Sequence, residues 1–321
     1  MGSNKDRGPK LRWYQRIALE VLWAISWLIG RAPRWFQFRL LAPILALLLR
    51  LVRYRRDVVL SNLKHSFPER SDKEIRAIMR AFYRTLGEVF VGTMALAGAK
   101  SEHNGDLIEW VDYKAHIERN RGRDWVALAS HFGCWEYYPL WCWLDTECHF
   151  MSVYHPLKSD IFEHFYCRMR RFAPNITTVP MAETVRFYLK NRTSERTTVL
   201  GLISDQSPRL TADSQWIDFL GQKTSFIEGG ARIAKKFSVP AYFVDAERTV
   251  PGRYRARFIE IYDGQEEIPE GEIVRRYAEA LERMVRRTPE LWLWSHKRWK
   301  HTPEKQRKKY GRSTLDVESG E

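Results

Sequence analysis

Trp125-Val126-Ala127-Leu128-Ala129-Ser130-His131-Phe132-Gly133-Cys134-Trp135-Glu136 is the stretch that decides the fold. Its first six residues carry no charge and have the length and character of a buried strand. His131 then falls where the strand ends and the chain turns, which is where α/β folds expose reactive groups. The same pattern recurs outward from this point. Strand-like runs occupy 125–130, 149–154, 198–204 and 240–247, and helix-like runs occupy 159–172, 181–191 and 227–237. Their alternation predicts an α/β fold with a mixed, partly parallel central sheet flanked by helices. Pro251-Gly252 reads as a hairpin turn between two further strand-like runs. A last amphipathic helix carries Ile273, Val274, Tyr277, Ala278, Leu281, Met284 and Val285 and stops at Pro289. Upstream, Phe67-Pro68-Glu69-Arg70 is a break, and Ser71-Asp72-Lys73-Glu74 is a capping box. The helix it opens repeats Ile75, Ile78, Met79, Phe82, Leu86 and Val89 at helical spacing, a stripe suited to core packing. No internal repeat is visible.

With 321 residues the chain suffices for one large or two modest domains. Its net charge of +14 implies anionic partners, whether nucleic acid, an anionic membrane surface or acidic proteins. Thirteen Trp beside so many basic residues suit a membrane interface, and also nucleic acid. The cysteines at 134, 142, 148 and 167 form no CxxC pair, which argues against a zinc ribbon or a redox dithiol. They read as buried, reduced thiols of a cytosol-facing domain. Cys134 reads as a small buried filler rather than a nucleophile.

Positions 17–30 are apolar apart from Glu20, and 40–49 carry no charge, but neither run reaches the 18 residues of a clear spanning helix. No small-residue cleavage site follows the first run, so a signal peptide fits poorly. Lys5, Arg7, Lys10, Arg12 and Arg16 precede the runs, Arg31, Arg34 and Arg39 separate them, and Arg50, Arg53, Arg55 and Arg56 follow. Positive charge on every side favours an interfacial anchor or a re-entrant hairpin over a single crossing, with Trp13, Trp23, Trp27 and Trp35 at headgroup depth. A helical hairpin packed on a soluble domain is the alternative. The expected organisation is an anchoring zone at 1–56, a catalytic domain at 57–300 and a charged, flexible tail at 301–321.

His131 and Glu136 form H-x4-E. Inside one regular helix the two would diverge by about 140°. The pair works only if His131 lies in the loop or first turn and Glu136 inside the helix. A carboxylate pointing back at an imidazole makes a general base. The competing reading is a structural histidine, and a metal site is disfavoured because this is not H-E-x-x-H and no third ligand is near in sequence. Tyr154-His155-Pro156-Leu157-Lys158 ends the second strand-like run. Arg168, Arg170 and Arg171 follow on a predicted helix, where Arg168 and Arg171 share a face that could hold phosphate or a developing anion, or form a solvated basic face. Asp205, ending the third run, could ion-pair with an arginine or cap a turn. The absence of GxGxxG, GxxxxGK[ST] and GxSxG from the sequence disfavours ATP and NAD chemistry and a serine elbow.

Taken together these segments resemble the lipid A biosynthesis acyltransferase family, the late lauroyl/myristoyl-type acyltransferases. The resemblance runs from Arg53 to about Lys300. It is carried by Arg55-Arg56-Asp57-Val58-Val59 with Asn62-Leu63, Phe67-Pro68-Glu69, His131 to Glu136, Tyr154-His155-Pro156, Arg168, Asp205-Gln206 and Glu290 to Trp299. It implies a glycerolipid-acyltransferase-like fold behind an N-terminal hydrophobic helical anchor. The implied enzyme sits on the cytoplasmic face of the bacterial inner membrane and moves a fatty acyl group from acyl carrier protein to a glycolipid hydroxyl. It implies His131 and Glu136 as the catalytic pair, Arg168 as a functional arginine and Asp205 as a supporting acid; the helix-face reading adds Arg171 to Arg168 as a candidate for substrate phosphate or the oxyanion. It implies no cofactor and no metal, and partners limited to acyl carrier protein, the lipid acceptor and the membrane surface. One departure is His155, where the family commonly has arginine, which puts a phosphate contact there in doubt. Rival readings are an acyltransferase for another acceptor (a phosphatidylinositol mannoside, an aminolipid or a lysophospholipid), a membrane-associated nucleic-acid-binding protein, and a non-catalytic membrane scaffold.

Overall fold

A computed structural model describes residues 10–100, 104–193 and 195–318; Lys5, Arg7 and Glu321 lie outside the described residues. The chain begins with helices α1 (Trp13–Arg31) and α2 (Arg34–Phe36), and a π-helical turn over Gln37–Leu41 leads into α3 (Ala42–Leu51). Then come α4 (Arg56–Ser66), α5 (Asp72–Ala95), α6 (Asn104–Leu107), β1 (Ile108–Trp110), α7 (Tyr113–Arg119) and β2 (Trp125–Ala129). A 3-10 segment, Trp135–Trp143, precedes β3 (His149–Tyr154), α8 (Asp160–Met169), β4 (Ile176–Pro180), α9 (Thr184–Asn191) and β5 (Thr198–Ile203). A small hairpin, β6 (Ile217–Phe219) and β7 (Gln222–Thr224), is followed by α10 (Gly229–Lys236), β8 (Ala241–Val250), β9 (Arg253–Tyr262) and α11 (Glu272–Arg287). Helices α12 (Pro303–Tyr310) and α13 (Thr314–Glu318) come last.

Seven strands form one mixed sheet in the order β1-β9-β8-β2-β5-β3-β4, and each pairing except β8–β9 is parallel. All five residues of β2 are buried, as a central strand covered on both faces requires. The expected strands and the Pro251-Gly252 hairpin appear, with Gly252 at φ +73°, a conformation open to glycine without strain. The capping box forms as read. Glu74 N donates to Ser71 Oγ, and Ser71 N donates to Glu74 Oε2 at 2.8 Å. The apolar stripe of α5 is buried. The short strands β1, β4, β6 and β7 lacked a periodic run long enough to read.

Two expectations are corrected by packing. The charged tail is folded through α12 and α13: Gln306 is fully buried, accepts from Trp216 Nε1 and donates to the carbonyls of Thr211, Ala212 and Ser214. A single buried amide, satisfied from several sides, outweighs a composition that reads as disordered. Many of the tryptophans are core rather than interface residues: Trp125 and Trp141 pack edge-on against His116 and Phe258, and Trp110 stacks on Phe258. The N-terminal helices keep a different balance. α1 packs on α5 and α8, with Trp23 against Phe165, and α3 packs on α5. Their outer faces stay apolar and bare, with Trp13 74%, Leu28 61%, Trp35 61% and Leu51 68% exposed. No single helix among the described residues is long and apolar enough to cross a membrane, but α1 and the 34–51 helix pass that test together, bent by 114°.

Burial lowers His116 to about 4, aided by Arg119, and burial likewise lowers His296 to about 4. Both are neutral when folded, whereas in the unfolded chain they take up protons below roughly pH 6.5. Their contribution to stability is therefore complete above that pH and is lost as pH falls towards 4. Glu88 and Asp145, raised mainly by burial, act in the opposite sense, so the informative comparison is with a variant. Denaturant unfolding at pH 7.5 and pH 5 should show a smaller acid loss for His116→Phe than for the wild type; equal losses would contradict a neutral buried imidazole.

Candidate active site

The site is assembled at the C-terminal ends of two adjacent parallel strands. β2 delivers Ser130 and His131, and β5 delivers Ser204 and Asp205. The chain leaves β2 towards β3 on one side and leaves β5 towards β8 on the other. That divergence opens the crevice in which open α/β sheets bind ligands. The His131 loop is fixed by the segment after α11. Gly133 N donates to Leu291 O at 2.8 Å, Leu293 N donates to His131 O at 3.1 Å, and Phe132 bridges Trp292. Gly133 has φ +56°, and a Cβ there would sit 2.2 Å from the Tyr254 ring, so no other residue fits without displacement.

The imidazole is held by Asp205, not by Glu136. His131 Nδ1 donates to Asp205 Oδ1 at 2.7 Å, and its backbone N–H donates to Oδ2 at 3.0 Å. Trp292 Nε1 donates to the same Oδ2 at 2.8 Å. Asp205 is 2% exposed, and burial alone would raise its pKa. The positive charge available at His131 and the hydrogen bonds from His131 and Trp292 outweigh burial and leave the carboxyl below the ordinary carboxylate range. A carboxylate on Nδ1 fixes the tautomer that leaves the Nε2 lone pair free to accept. Gln206 Nε2 lies 3.2 Å from that nitrogen, and Trp135 packs edge-on against the ring.

Both Glu136 oxygens go to Arg170, at 2.9 Å from Nε and 2.6 Å from Nη2. The expectation that Glu136 would steady the imidazole is thus corrected. His131 is in the turn, as required, but the 3-10 segment that starts at Trp135 aims Glu136 towards the C-cap of α8. Arg170 is the arginine that binds Glu136 and borders the neighbouring cavity. Its position beyond the helix end brings it to Glu136, which raises its pKa against the opposing effect of burial. Arg168 points elsewhere, pairing with Glu20 of α1 at 2.8 Å and covering the Trp23 ring. Arg171 lies past the end of α8, half-buried, so it shares no helix face with Arg168. His155 is exposed, and its Nδ1 lies 3.0 Å from the neighbouring Pro156 carbonyl oxygen. Cys134 is buried, and burial pushes its thiol up to about 12, which removes it as a nucleophile.

Trp135, Glu136 and Arg170 also border a small cavity of about 60 Å³. Ala127, Ala129 and Gly201 line it with small groups, and Trp110 and Phe258 with aromatic rings. Sequence reasoning missed three participants. Trp292 and Gln206 are distant in the chain from His131, and Arg170 was one of three arginines with nothing local to distinguish it. Among the described residues no group of three or more His, Cys, Asp or Glu could hold a metal ion.

A family model described as bacterial lipid A biosynthesis acyltransferase matches residues 5–301. No curated protein matches the chain.

The Arg170–Glu136 pair is mostly buried, with side chains 17% and 7% exposed. Removing one partner of such a pair leaves an uncompensated charge and costs about 3–5 kcal/mol. Glu136→Ala should lower unfolding free energy by about that amount, and Glu136→Ala with Arg170→Met should recover part of it. If the single variant is as stable as the wild type, the ion pair does not form in solution.

Proposed function

The chain belongs to the bacterial lipid A biosynthesis acyltransferase family, and on that premise we propose that it transfers a fatty acyl group from acyl carrier protein to a hydroxyl of a lipid A precursor, with His131 as general base. The observation that carries the mechanism is the Asp205-bound imidazole beside an apolar cavity. A hydroxyl is far too weak an acid to ionise unaided. The acceptor hydroxyl takes the place of the Gln206 amide at Nε2, and the imidazole removes its proton as the oxygen attacks the thioester carbonyl. Asp205 stabilises the imidazolium that forms. The tetrahedral intermediate then expels the thiolate. The C–S bond breaks, and the proton on Nε2 passes to sulfur.

The oxyanion needs a donor that is already in place. Arg170 supplies one: Glu136 holds its Nε and Nη2, and Nη1 takes part in none of the described hydrogen bonds. On this reading Glu136 serves catalysis by positioning Arg170. The acyl chain enters the cavity lined by Ala127, Ala129 and Gly201, where each buried methylene contributes about 0.8 kcal/mol. No cofactor is used, because the thioester is already activated.

The enzyme works at the cytoplasmic face of the bacterial inner membrane. The bare apolar faces of α1 and α3 rest on the lipid, and the basic charge suits both the acidic carrier protein and an anionic surface.

Mass spectrometry of lipids formed by the purified protein from a panel of acyl-carrier donors and a lipid A precursor tests this reading. The wild type should give a singly acylated product. His131→Ala should abolish it, and Asp205→Asn should lower kcat by about 10²–10⁴-fold with little change in KM. Near-normal turnover of either variant would sink the base assignment, and a product made only with another lipid acceptor would sink the substrate. Ala127→Val, which narrows the cavity, should shift preference towards shorter donors; an unchanged chain profile would place the acyl chain elsewhere.

A further inference from the structure

Between α3, α4 and the start of α5 lies an open basin of about 390 Å³ that the chemistry above does not use. Five arginines line it: Arg50, Arg53, Arg56, Arg76 and Arg80. Arg76 shares Asp72 with Lys64, at 4.0 Å, and among the described residues the other four form no ion pair and no side-chain hydrogen bond. Asp57, next to Arg56, is exposed and pairs with none of them. Arg53, on the basin wall, sits at φ +52°, a left-handed conformation that non-glycine residues rarely adopt. Tyr83, at the floor, donates to Tyr54 O and pins that turn. Four arginines around one basin with no ion-pair partner among the described residues call for an anion, and guanidinium groups match phosphate in geometry.

The rim shows which anion. Leu47 and Leu51 line the same basin and are 52% and 68% exposed, and Leu48 and Val52 are bare beside them. A free phosphate or an acidic protein has no use for an apolar rim. A phosphate joined to hydrocarbon chains does. We propose that this basin binds the phosphate headgroup of an anionic membrane glycerophospholipid, whose tails lie along α3. This rests on the membrane-surface reading given above and adds to it a defined headgroup site that orients the enzyme on the bilayer.

The full chain can be tested by flotation with vesicles of phosphatidylcholine alone or mixed with phosphatidylglycerol. The variant Arg53→Gln/Arg56→Gln/Arg80→Gln alters only exposed side chains, and circular dichroism would verify its fold. A lipid-facing Lys or Arg contributes about fivefold in affinity, so the triple variant should lose about 100-fold on anionic vesicles. Its binding to neutral vesicles should be unchanged, because the apolar faces remain. Lys308→Gln/Lys309→Gln/Arg312→Gln removes the same charge from α12 and its flank and should keep anionic binding; an equal loss there would show a net-charge effect and overturn the site. If the wild type floats with neither vesicle, the membrane reading itself falls. If it prefers anionic vesicles and the basin variant does so equally, only the site falls. Saturable calorimetric binding of inorganic phosphate, lost in the basin variant with vesicle preference intact, would reassign the basin to a free anion. A raised KM for the carrier-bound donor with vesicle preference intact would reassign it to an acidic protein.

Discussion

A carboxylate that is almost wholly buried must be offered donors or it will not stay ionised. Asp205 receives three: the His131 imidazole and backbone N–H, and the Trp292 indole. They come from two structural commitments. The backbone N–H is available because β2 ends at Ala129 and the chain turns. The imidazole follows from the same turn. The indole arrives because the segment after α11 is drawn back across the sheet and hydrogen-bonded to the His131 loop on both sides. Loss of any one leaves an acceptor facing a dry interior, so the carboxylate ties the two strand ends and the 289–299 segment into one unit. Arg298, buried over the Phe226 ring, adds to this: burial lowers its pKa to about 10, while the Asp205 charge pulls the other way.

The second polar unit, Glu136 with Arg170, is separate from the first and solves a different problem. An arginine on the wall of an apolar cavity needs a counter-charge that does not neutralise its outward donors. A bidentate carboxylate on Nε and Nη2 does this and leaves Nη1. The two units flank Trp135, which touches the imidazole and borders the cavity. In the proposed mechanism, proton removal and oxyanion stabilisation fall to different carboxylate-supported groups.

Much of the fold was legible because a central parallel strand has nowhere polar to face. The run from Trp125 to Ala129 could hardly be anything else, and the capping box and the α5 stripe are local signals that tertiary structure had no reason to override. The site was legible only as far as chain proximity carried it. His131 at a strand end could be read from its own neighbours. Its partner could not, because Asp205 is adjacent through sheet order, and β5 pairs with β2 only after two intervening strands have been placed further out. Glu136 looked like the partner because it was near in sequence, and a 3-10 segment instead of an α-helix was enough to turn it away. The tail misled for a related reason: its charge count hid Gln306, a single residue whose buried amide holds α12 in place.

The N-terminal helices join these arguments. α1 and α3 are not appended to the catalytic unit; they pack along α5, whose C-terminal half backs the His131 loop, with Cys134 Sγ 3.6 Å from Glu88 O. Glu20 of α1 in turn engages Arg168, two residues before the arginine that binds Glu136. The bare apolar surface of α1 and α3 is therefore packed, through α5 and α8, onto both sides of the crevice. On this reading the bare apolar faces and the arginine basin set the height and tilt at which the cavity mouth meets the bilayer. An enzyme whose acceptor lies in the membrane and whose donor comes from the aqueous side needs that orientation fixed, because His131 can serve only a hydroxyl presented at the strand ends.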